Sequence, residues 1–90
     1  MNSNRRKEID RIMERIDSLI ADLSDIKDSI GAVRDEEQEA LDNLPESMQE
    51  GERGERAQAA IDALEEALNG MDEAECDIND IKDNLETAKE

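Results

Sequence analysis

The stretch Ile9-Asp-Arg-Ile-Met-Glu-Arg-Ile-Asp-Ser-Leu-Ile-Ala-Asp-Leu-Ser-Asp-Ile-Lys-Asp-Ser-Ile-Gly-Ala-Val33 decides the fold. Its residues Ile9, Ile12, Ile16, Leu19, Leu23, Ile26, Ile30 and Val33 recur at alternating steps of three and four, without an error. That is the seam of a left-handed coiled coil, with Ile9, Ile16, Leu23 and Ile30 at heptad position a and the others at d. A disordered acidic chain has no reason to keep this register, so the 42% of charged residues reads as the solvated surface of helices. Met13, Ile20 and Leu41 fall at e and widen the stripe, which suits more than two helices. Beyond Val33 the pattern weakens through Glu37, itself at a, and Ala40 to Leu44.

A second run of the same spacing follows Gly54: Ala57, Ala60, Leu64, Ala67, Met71, Ala74, Ile78, Ile81, Leu85 and Ala88. Its d positions are mostly Ala, which lets a facing helix come close, and Ile61 and Leu68 widen it at e. Pro45 disfavours helix at Leu44 and ends the first helix near Asn43. Ser47 and Glu50 have the spacing of a capping box for one short turn, which Gly51 and Gly54 then break. The expected fold is therefore all-α: an antiparallel helical hairpin in a single domain, with helices at 4–43 and 54–89, a turn at 44–53, and Leu44 and Met48 plugging its end.

Folding about this turn sets Val33 near Met71, Ile26 near Ile78 and Ile16 near Ala88, and brings Gly31 within about a turn of Gly70. In that register residues 5–13 overhang, leaving Ile9, Ile12 and Met13 without an intrachain partner. Exposed Ile at a and d seeks another chain, and a two-helix hairpin buries little alone. A homodimer or higher oligomer is expected, most simply a four-helix bundle.

Composition removes whole classes of chemistry. There is no Phe, Tyr, Trp or His, so neither an imidazole base nor the usual zinc or iron constellation can form. No glycine-rich phosphate loop and no EF-hand spacing is present. Carboxylates such as Glu36, Glu37, Glu39 and Asp42, or Glu73, Glu75, Asp77 and Asp80, read as a solvated helical face rather than a cation site. Cys76, the one cysteine, stands at outer position f between Glu75 and Asp77, whose charges oppose a thiolate. It permits no intrachain disulfide, which fits a reducing cytoplasm. No apolar run is long enough to cross a bilayer and none forms a signal core. The expectation is a soluble cytoplasmic protein that is not an enzyme and uses no cofactor or metal.

Charge is lopsided. Of the 11 Lys plus Arg and 27 Asp plus Glu, residues 1–15 carry five basic and three acidic groups, and the rest of the chain is overwhelmingly acidic. Such a surface repels nucleic acid and anionic membranes and attracts proteins with basic surfaces. Rows of carboxylates on a helix can also occupy a groove built for DNA, whose charges come every ~1.7 Å of axis. The contact candidates are Asp35, Glu36, Glu39, Glu65, Glu66, Asp72 and Glu73. The basic tip, with Arg5, Arg6, Ile9, Arg11, Ile12 and Met13, opposes the helix macrodipole. It reads either as a surface that pairs with acidic faces of a second subunit or as a site for a small anion.

The segment Asp42-Asn-Leu-Pro-Glu-Ser-Met-Gln-Glu-Gly-Glu-Arg-Gly54, followed by Ala60-Ile-Asp-Ala-Leu-Glu-Glu-Ala67, resembles a turn and helix of small acidic phage and prophage proteins. In those, Asn-Leu-Pro-Glu-Ser-Leu-Gln and Ser-Glu-Arg-Gly precede an Ala-Ile-Asp-Ala-Leu-Glu-Glu-Ala helix. The resemblance covers residues 36–88 and departs at Met48 and Gly51. It implies a phage origin and the host cytoplasm as location. The family is mostly of unassigned function, and the general likeness of small acidic phage proteins to inhibitors of host defence points to a role such as an anti-CRISPR protein or DNA mimic acting on a host nucleic-acid-binding protein. A coiled-coil assembly adaptor of a phage, and an oligomer that captures a small anion at its tips, stand as alternatives.

Overall fold

A computed structural model describes all of residues 1–90, and every regular element in it is a helix. In chain order these are α1 (Ser3–Asp42), α2 (Glu46–Gln49) and α3 (Glu52–Lys89). Asn2 starts α1 as its N-cap, its side-chain oxygen accepting from the Arg5 amide at 2.9 Å. Gly31 and Gly70 lie inside the long helices without breaking them.

The chain forms two compact units, residues 1–25 with 71–90 and residues 26–70. In the first, the terminal unit, α1 and α3 run in opposite directions. Lys82 meets Asp17 at 2.6 Å and Lys89 meets Asp10 at 2.7 Å, so α3 advances as α1 retreats, seven residues for seven. The Arg6 side chain donates to the backbone carbonyls of Lys89 and Glu90, at 2.9 and 3.3 Å. These carbonyls end α3, and a cation there also complements the negative end of its dipole.

Those contacts correct the expected register. Residue 17 lies beside residue 82, so Ile16 is not opposite Ala88. Nor do residues 5–13 overhang: α3 reaches back to Arg6, and Met13 is buried. In the second unit, the turn unit, α3 begins at Glu52 and carries Gly54 inside it, where a loop reaching to Gly54 was expected.

Gly54 enters the helix because of what lies against it. A Cβ at this position would fall 1.7 Å from the carbonyl oxygen of Gln49. Glycine here is a requirement of close backbone approach, not of helix breaking. Pro45, with φ −56° and ψ 146°, begins α2, and its carbonyl accepts from the Met48 and Gln49 amides. No side chain caps α2, so the Ser47–Glu50 capping box does not form. The Gln49 side chain instead turns back and donates to the Leu44 carbonyl at 2.9 Å, tying the end of α1 to the turn. Leu44 is half-buried, whereas Met48 lies at the surface and plugs nothing.

The buried stripe also differs from the a and d seam. On α1, Ile9, Ile16, Leu23 and Ile30 at a are half-buried, and at e Met13 is buried and Ile20, Lys27 and Arg34 half-buried. At d only Ile12 is half-buried, while Leu19, Ile26 and Val33 are 45%, 49% and 52% exposed. α3 follows this in part: Ala57 and Ile61, at a and e, are buried, whereas at d Ala67, Ile81 and Ala88 are exposed and Ala60 and Ala74 half-buried. Around a helix, e lies about 40° to one side of a and d about 60° to the other, so a helix that faces its neighbour with a and e turns d away. Half-buried Lys and Arg at e cover the seam with their methylene stems and keep their charges in water.

Candidate interaction surface

In the terminal unit the two ion pairs join position b of α1 to position e of α3 along one edge. Heptad geometry places Leu19 and Ile81, both at d and both exposed, on the opposite edge. A shallow open groove lies there on α1, lined by Ile12, Ile16 and Leu19 with Arg15 and Asp22 at its rim. The turn unit carries a second shallow depression, lined by Gln38, Leu41, Gln49, Gly54 and Gln58.

All seven acidic contact candidates are exposed, but they are not equivalent. Asp35 holds the Arg34 guanidinium at 3.0 Å, and Asp72 is engaged within the chain. Glu36, Glu39, Glu65, Glu66 and Glu73 have no intrachain cation. The first four belong to the turn unit and Glu73 to the terminal unit. Glu37, at a, is half-buried and not part of this set.

The basic tip is largely taken up by the chain itself. Arg6 serves the last carbonyls of α3, and Arg11 pairs with Glu8 at 3.0 Å. Ile9 and Ile12 are half-buried and Met13 buried, so of the six tip residues Arg5 alone stands exposed without such a bond from its side chain. The carbonyls at the end of an antiparallel neighbour attract arginine as a carboxylate does, a use of Arg6 that its place in the sequence does not show.

The cations at e are what sequence reading missed most. Lys82 and Lys89 are both held above the ordinary 10.5, first by the hydrogen bond to Asp17 or Asp10 and then by that carboxylate's charge. Asp10 and Asp17 at b, seven residues apart, face Lys89 and Lys82 at e, also seven apart, and that spacing was visible in the sequence. Glu65 at b and Arg34 at e continue the same numerical relation in the turn unit, although Arg34 turns to Asp35.

Cys76 is a free, exposed thiol, no cluster of side chains is arranged to hold a metal ion, and no buried side-chain polar atom lacks a partner. No helix is long and apolar enough to cross a membrane. No family model matches the chain, and neither a curated protein nor a solved structure matches it.

Proposed function

We propose that this chain is a non-enzymatic interaction protein, an antiparallel helical hairpin that presents rows of free carboxylates to a protein with a basic surface. The observation that carries this reading is the unequal use of charge. Most cations with a partner are spent inside the chain, at e positions, at the end of α3 or on a neighbouring turn. The carboxylates left over point to solvent, so the outward field is that of an anion. A basic groove shaped for nucleic acid is the complementary surface, and the turn's likeness to small phage proteins makes a host defence protein a candidate owner of it.

The test is capture of partners from a host lysate on the immobilised protein at low and high salt. The reading expects nucleic-acid-binding proteins held at low salt and released at high salt. A Glu65→Gln/Glu66→Gln/Glu73→Gln variant, folded by circular dichroism, should retain them less. Equal retention by the variant, or none by the parent at low salt, would count against it.

The exposed Leu19, Ile26, Val33 and Ile81 favour a second reading, a coiled-coil adaptor in an assembly. Its contacts would be apolar and would survive high salt. The anion-capturing tip is the weakest of the three, since Arg6 and Arg11 already have partners.

A further inference from the structure

We propose that α1 pairs antiparallel with α1 of a second copy through its d column, about a two-fold axis that passes beside Ile26. This goes beyond the proposed function and does not depend on it. The column is apolar and turned away from α3: Leu19, Ile26 and Val33 are each about half exposed. Its flanks say which partner fits. Beside it runs column g, with Arg15 near one end and Glu36 near the other; farther out, column c has Arg11 and Glu39 in the same order. Reversing a second copy brings plus to minus on both columns.

The register follows. With Ile26 opposite its own copy, Leu19 meets Val33 and Ile12 meets Ala40, so every apolar d residue gains an apolar partner. The same alignment sets Arg15 against Glu36 and Asp22 against Ser29 on the inner column; on the outer one it sets Arg11 against Glu39 and brings Asp25 beside its own copy. Sliding by one heptad in either direction loses the Arg15–Glu36 pair and sets Asp22, on the inner column, against its own copy or against Glu36. A slide of two heptads sets Val33 against Arg5 one way and strands Ile12 and Leu19 past the end of α1 the other. Arg15, Glu36 and Glu39 have no ion-pair partner within the chain, so the pairing breaks nothing to form. A residue that contacts j while j contacts it is the signature of an isologous two-fold interface. The pairing occupies Glu36 and Glu39 and leaves Glu65, Glu66 and Glu73 for another partner.

Mass in solution and site-directed cross-linking test this. The protein should sediment with the mass of two chains, and Ile26→Asp should sediment as one with its helical signal kept, since Ile26 is half exposed in the single chain. In a Cys76→Ser background with oxidised glutathione as oxidant, Ile26→Cys should link to itself. Val33→Cys alone should not, but should link to Leu19→Cys when the two are mixed. Arg15→Glu should weaken the dimer about tenfold, and adding Glu36→Arg should restore it. A single-chain mass for the parent protein, or self-linking by Val33→Cys as readily as by Ile26→Cys, would overturn the proposal. So would a charge swap no better than Arg15→Glu alone.

Discussion

The turn unit and the terminal unit use the same two helices and the same heptad, yet they are held in different ways. The turn unit buries Gly54, Ala57 and Ile61, two of them almost without a side chain. At its turn the start of α3 folds so tightly onto α2 that Gly54 lies on the peptide of Gln49. The terminal unit buries Met13 and spans its edge with long side chains, Lys82 to Asp17 and Lys89 to Asp10. Small residues at a seam specify closeness, because any added atom has nowhere to go. Long charged ones specify alignment, because an exposed ion pair contributes little stability but disfavours a slipped register.

The contrast can be broken hardest at Gly54. Gly54→Ala places a methyl inside the Gln49 peptide, and separating the two backbones should cost about 3 kcal/mol or more. For a domain of this size that lowers Tm by roughly 12 °C or more in a thermal melt. A change within error would mean the turn is not closely packed. Next is Ile61→Ala, which removes the one side chain that is only 2% exposed. A loss of about 3 kcal/mol by urea denaturation is expected, against a smaller loss for Met13→Ala, whose flexible side chain lies where longer residues can close the gap.

The next prediction has the opposite sign. Gly31 and Gly70 have open space where a Cβ would go, with nothing within 4 Å. Gly31→Ala and Gly70→Ala should each stabilise by about 1 kcal/mol, seen as a higher Tm. Destabilisation by either would show that its level needs a freedom only glycine gives.

The smallest effect belongs to the terminal unit and to alkaline pH. The folded amines of Lys82 and Lys89 bind their protons more tightly than the ordinary 10.5 of an unfolded chain. Their contribution is therefore complete below pH 10.5 and fades as pH rises through the higher folded values. Lys82→Gln/Lys89→Gln should melt slightly lower at neutral pH, and the gap from the parent should narrow above pH 10.5. A constant gap would detach those pairs from stability.

The helices were legible because an unbroken alternation of three and four leaves no competing period. Which neighbour the stripe faces was not. Positions a, d and e all carry apolar residues on α1, and a–e and a–d both alternate threes and fours. Lys27, Arg34, Lys82 and Lys89 disguise the e column, since each keeps a charge in water while its stem covers the seam. Gly54 was misread for a related reason: a glycine that breaks helix and one that admits a backbone look the same in sequence. The five free carboxylates could be picked out by position, but not separated from Asp35 and Asp72 without knowing where Arg34 turns and that Asp72 is engaged.

Arg6, by grasping the carbonyls of Lys89 and Glu90, brings the first turn of the chain beside its last residues. That adjacency makes the molecule its own gauge. A donor dye at Asn2 and an acceptor at Glu90 would exchange energy efficiently while the two helices stay together. Any partner that wedges them apart would announce itself as recovered donor emission, whatever its identity.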